Sequence, residues 1–109
     1  MIHASLTQDK AGRLIAYHAK GHADHGEYGH DIVCSAVSVL GVTCVNSLES
    51  ILNINVVLEN NREGLISFRL PSPLRDDEMH DAQILMKALQ VGLQGIAEEY
   101  PDNLSLSIQ

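Results

Sequence analysis

An α+β fold, with element order ββαββαβ and an antiparallel or mixed sheet carrying two helices packed on one face, is what the 109-residue sequence predicts. Three observations carry this prediction. Ile2, Ala4 and Leu6 alternate with His3, Ser5 and Thr7, the two-residue period of a half-buried strand, and the alternation recurs at 54–58, 66–70 and 104–108. Two long stretches, 31–52 and from 75 or 76 to 100, repeat their apolar residues at helical spacing instead. Two hairpins and two helices then stack as two layers, with a single core between them.

The elements follow in order. Gln8-Asp9-Lys10-Ala11-Gly12 supplies a turn after the first strand, and Arg13 to Lys20 reads as its hairpin partner. A polar loop from Gly21 to His30 comes next, its three glycines giving it the freedom of a substrate-gating loop or of an ordinary connector. The first helix has apolar residues at 32, 33, 36, 37, 40, 44, 45, 48, 51 and 52, too many for one narrow stripe. Such a helix is expected to be mostly buried, between the sheet and something else. The surplus points to self-association, for which a two-fold dimer is the commonest form. Asn53 closes the helix. Asn60-Asn61-Arg62-Glu63-Gly64 turns between the third and fourth strands, and Pro71-Ser72-Pro73 ends the fourth. Met79, Ala82, Leu85, Met86, Leu89, Leu93, Ile96 and Ala97 form the apolar face of the second helix, which Pro101 terminates. No repeat or linker interrupts the chain, so residues 1–109 read as a single domain.

Composition narrows the function. Seven Lys+Arg against fourteen Asp+Glu give a formal charge of -7, which disfavours a nucleic-acid surface and suits a basic protein partner. No apolar run is expected to span a membrane, and the N-terminus lacks the pattern of a signal peptide, so a cytoplasmic location is expected. No phosphate-binding glycine motif is present, and no cofactor is expected. Cys34 and Cys44, on one helix, stand about 15 Å apart at about 1.5 Å per residue, too far for a disulfide.

The stretch from Gly21 to Cys34 carries the chemistry. Asp31 is well placed as N-cap of the first helix, which sets Cys34 at the third helical position. There the unpaired amides and the helix dipole favour a thiolate. His22 lies on the loop feeding that helix, within reach of folding back as base and then acid. Asp31, Cys34, Ser38 and Gly41 share one stripe, a poor core face and a good site wall. Cys44 falls among Leu40, Val45 and Leu48, as a small buried hydrophobe would. Metal binding is the rival use of the same atoms: His22, His25, His30 and Cys34, with Asp24 and Asp31, include zinc-compatible ligands, although their spacing matches no finger or ribbon.

Gly21-His22-Ala23, Glu27-Tyr28-Gly29, and Asp31-Ile32-Val33-Cys34 with Ala36-Val37-Ser38 resemble the ribosomal-processing cysteine protease (Prp, YsxB-like) family. Ser35 stands where that family commonly has Ala. The resemblance implies a catalytic dyad of His22 and Cys34, with Asp31 and Ser38 in supporting roles. Gly21, Tyr28 and Gly29 would then belong to a mobile substrate-binding loop, and no metal would be required. It also implies a homodimer that removes the N-terminal extension of a large-subunit ribosomal protein of the L27 type. Asp31 would orient His22 or only cap the helix, and amides at the helix start would serve as oxyanion hole. The competing expectation is a non-catalytic, ribosome-associated binding module with an acidic face.

Overall fold

The computed structural model describes residues 1–21, 28–59 and 65–109, with side chains throughout these except at 28–31. The rest of the loop after Gly21, with its histidines, and the 60–64 turn lie outside the described residues. Seven elements follow in the expected order: β1 (Ile2–Gln8), β2 (Leu14–Lys20), α1 (Tyr28–Ser50), β3 (Val57–Leu58), β4 (Phe68–Arg69), α2 (Asp76–Glu99) and β5 (Leu104–Ile108).

The sheet is mixed, in the order β3-β4-β2-β1-β5. β1 and β2 pair antiparallel, with Leu6 opposite Tyr17, across a turn that Asp9 builds. Its carboxylate accepts from the amides of Ala11 (3.0 Å) and Arg13 (2.9 Å) and from Arg13 Nε (2.8 Å). β5 returns from α2 to lie parallel to β1, Ala4 facing Leu106. One face of the sheet is apolar and closed by the helices. Ile2, Ala4, Leu6, Leu14, Tyr17 and Ala19 share a core with Val33, Val37, Val45 and Leu48 of α1 and Ala82, Met86, Leu89 and Leu93 of α2. The opposite face is polar, as His3 and Ser105 show by hydrogen-bonding through Nδ1 and Oγ at 2.9 Å. The tilted Tyr17–Phe68 ring pair, 5.8 Å between centroids, fills the core under β4.

Side chains stand in for missing ladder rungs at both ends of β2. Gln83 of α2 accepts from the Leu14 amide (2.7 Å) and donates to its carbonyl (2.8 Å). Ser67, just before β4, does the same for Ala19, its hydroxyl accepting from the amide at 3.1 Å and donating to the carbonyl at a longer 3.4 Å.

Four sequence expectations are corrected. α1 begins at Tyr28, so Asp31 is its fourth residue and not its N-cap, and Cys34 is the seventh rather than the third helical residue. No proline stands at 28–30 to stop the helix, and an Asp suits the first turn as well as the cap because the dipole favours negative charge there. α1 is not mostly buried either: Val39 is 63% exposed, Ile32 and Val42 are exposed as well, and Ile51, just past its end, is 66% exposed. The third and fourth strands shrink to two residues each. Ile54 and Leu65 are buried without joining a ladder, because their side chains pack into the core from loops. Finally, Ile32–Ser50 is long and apolar enough, by length and composition, to cross a membrane. In this fold it serves as a core helix, with Val33, Val37, Cys44, Val45 and Leu48 buried against the sheet and α2.

Candidate active site

Two elements deliver the site residues. β2 runs to Lys20 and hands the chain to Gly21, whose φ of +96° lies in the left-handed region. A Cβ there would collide with the Met1 carbonyl oxygen, so the exit from β2 requires glycine on two counts. His22 follows directly, outside the described residues.

α1 delivers the thiol. Cys34 is half-buried, packed at the edge of the core, and both cysteines are free. Ser38 follows one turn later and is also half-buried, and Gly41 after it is buried. The Cys34–Ser38–Gly41 part of the expected stripe therefore lies along the helix, while the Asp31 side chain is outside the described residues. The Gly41 end is closed, since a Cβ at Gly41 would approach Ile66 Cγ2 to 2.6 Å and Tyr17 Cε2 to 3.4 Å. Tyr28, Gly29 and Asp31 occupy the first turn of α1, with Asp31 one turn before Cys34. Because Cys34 sits in the second turn, its own amide belongs to the helical hydrogen-bond ladder. The free amides within the start of α1 are those of 28–30, about a turn away, so the expected oxyanion hole does not include the thiol's own N–H.

Cys44 is a different thiol. It is 6% exposed, its Sγ lies 3.8 Å from the Leu85 carbonyl and 4.0 Å from Met86 Sδ, and burial pushes its pKa up to about 12. At neutral pH it stays protonated and closed off from reagents. Among the described residues no three His, Cys, Asp or Glu side chains converge as a metal site requires. The histidines of the zinc alternative fall at 22, 25 and 30, where side chains lie outside the described residues.

Ser67 escaped the sequence reading. As a polar member of the 66–70 alternation it reads as an outward-facing residue, yet it is 1% exposed. Its burial follows from the chain joining the β2 ladder only at Phe68, which periodicity does not reveal.

Comparison with known proteins places this geometry. A family model described as Cysteine protease Prp matches residues 1–105. The ribosomal processing cysteine protease Prp of Staphylococcus aureus is 34% identical over 107 residues, covering 98% of each chain. The crystal structure of an essential ribosomal processing protease Prp from S. aureus in complex with a substrate peptide superposes with a TM-score of 0.85, at 31% identity and over 100% of both chains. A second structure of that protease, with a covalently linked product peptide, gives 0.83 at 32% identity, again over 100% of both chains. The class is thus cysteine protease, a peptide hydrolase working through a thiol nucleophile. The chain belongs to the Prp family of cysteine proteases.

Proposed function

We propose that this chain is the endopeptidase that removes the N-terminal extension of a large-subunit ribosomal protein of the L27 type, with Cys34 as nucleophile and His22 as its base and acid. One observation carries the choice of thiol. A cysteine protease needs an accessible sulfur, and of the two present Cys34 keeps solvent contact while Cys44 is 6% exposed with a pKa raised to about 12. The choice of substrate is supported by the relatives, which are ribosomal processing proteases, one of them solved with a substrate peptide. The acidic balance, -7, suits a basic ribosomal protein as partner.

In the proposed reaction His22 takes the proton of Cys34 and the thiolate adds to the scissile carbonyl. The amine leaves with the proton from His22, giving a thioester, and water activated by His22 releases the N-terminal fragment. A covalently linked product peptide in a relative fits such an acyl-enzyme. Asp31, one turn before Cys34 and not the helix cap, is assigned to orienting the imidazole, with Ser38 supporting the site wall. Gly21 at the exit of β2, and Tyr28 and Gly29 in the first turn of α1, flank the loop that receives the peptide. The working form is a cytoplasmic homodimer that needs no metal. An apolar groove between the helices, lined by Val39, Leu40, Gly92 and Ile96, supplies a surface for the second copy.

The test is the intact mass of the candidate ribosomal protein after incubation with the enzyme or with Cys34→Ala. Loss of one defined N-terminal peptide with the unaltered enzyme alone supports the reading. An unchanged mass in both, with binding retained, replaces it with a ribosome-associated binding module.

A further inference from the structure

We propose that Ser67 is a positioning residue for the Cys34–His22 pair, through a tether formed by residues 65–67 between the end of β2 and the body of α1. This rests on the assignment of Cys34 and His22 made above.

The register of the sheet makes the point. β2 and β4 pair through Ala16 with Arg69 and Tyr17 with Phe68, and the Leu70 amide donates to the Ile15 carbonyl at 2.8 Å. Continuing that register by two residues would set the backbone of Ile66 against Ala19. The chain does not continue it. Ser67 supplies both hydrogen bonds of the missing rung from its side chain, at 3.1 and 3.4 Å to the Ala19 amide and carbonyl. Ile66, released from the ladder, turns to α1 and packs where Gly41 leaves room for it. Ser67 is 1% exposed, so water does not compete for these bonds.

The tether therefore holds both carriers of the reacting groups. At one end it grips Ala19, three residues before His22 and two before the sharply turned Gly21. At the other it rests on the Cys34–Ser38–Gly41 stripe, two helical turns from the thiol, about 10 Å at about 1.5 Å per residue. A thiol and an imidazole exchange a proton only within hydrogen-bond reach, and displacement by about 1 Å costs on the order of a hundredfold in rate. Without the Ser67 hydroxyl, β2 is held at this end by β1 alone, and the spacing between the two carriers loosens.

The experiment compares Ser67→Ala, Ser67→Thr, Gly41→Ala and Gln83→Ala with the unaltered enzyme. It reads kcat and KM on a peptide spanning the processed extension, the pH dependence of Cys34 alkylation by iodoacetamide, and the melting temperature. Ser67→Ala is expected to lower kcat by about ten- to a hundredfold with KM nearly unchanged. Its Cys34 alkylation profile changes with it, because the imidazole no longer meets the thiol at a fixed distance. Ser67→Thr, which keeps the hydroxyl, restores both. Gly41→Ala disturbs the same tether from its helix end and shifts both readouts in the same direction. Gln83→Ala removes the matching pair of bonds at the far end of β2 and lowers only the melting temperature. A folded Ser67→Ala, or a Gly41→Ala, with unchanged kcat and alkylation profile overturns the proposal. His22→Ala tells the two assignments apart: an unaltered alkylation profile and rate in that variant refutes the Cys34–His22 pair itself, whatever Ser67 does.

Discussion

Cys34 and Cys44 lie ten residues apart on one helix and differ in contact with water, the property that decides what a thiol can do. Buried at 6% exposure, Cys44 would have to expose a new negative charge to the core in order to ionise, and its pKa rises from 9.0 to about 12. The sign of the linked stability is fixed by that shift. A thiol whose pKa is raised on folding keeps its full contribution below the unfolded value and loses it as pH climbs from there toward the folded one. Tyr17, raised from 10.0 by burial first and by the Cys44 charge second, acts in the same direction at higher pH. The melting temperature is therefore expected to fall above about pH 9, and Cys44→Ala is expected to flatten the first part of that decline. The same variant keeps protease activity and loses about 1–2 kcal/mol of stability to the small cavity, measurable by urea titration. A pH-independent melt between 8 and 11 in the unaltered protein would contradict the burial argument. The burial of Cys44 is legible in the sequence because it falls among apolar neighbours at helical spacing. Ser67 was not legible, since a polar residue in an alternating stretch looks the same whether it faces water or a vacated ladder rung.

At the scale of elements, the ends are set by local chemistry and the lengths by partners. α1 closes at Asn53, whose φ of +56° continues the chain in the left-handed region that Asn tolerates and β-branched residues do not. The next amide, of Ile54, returns to the Leu48 carbonyl at 3.0 Å and buries its side chain under the helix end. Asn53→Gly is expected to be neutral within a few tenths of a kcal/mol, and Asn53→Val to cost about 1–2 kcal/mol in denaturant titration. Equal stability of the two variants would show that this backbone angle is not what ends the helix. The stop at Asn53, both helices and the first hairpin were readable because periodicity and turn residues agree there. The helix starts four residues before an Asp31 cap would place it, at Tyr28 and not Ile32, because Asp suits both a cap and a first turn. The short β3 and β4 were overextended because alternation reports burial, and loops can bury alternate residues without pairing.

The whole molecule is a two-layer sandwich whose helical layer is left partly open. Val39 and Val91, 63% and 67% exposed, stand on α1 and α2 beside an apolar groove that Val39 itself lines. Our proposal that a second copy covers this surface predicts twice the 11.9 kDa chain mass in sedimentation equilibrium, and a monomer for Val39→Asp. A monomer already in the unaltered protein would withdraw it. The sequence pointed to this surplus of apolar residues on the first helix, but not to the faces that would carry it, because exposure depends on where α2 crosses. The proposed mechanism rests on one sulfur, that of Cys34, at the edge of this layer, and what forms on it can be trapped. A peptide spanning the processed extension is mixed with the enzyme, quenched in acid within the first turnover, and the digested protein is mapped by mass spectrometry. A thioester adduct, equal to the N-terminal fragment less one water, is expected on the segment containing Cys34. Cleavage that proceeds with the adduct on Cys44, or without any adduct and undiminished in Cys34→Ala, would contradict it.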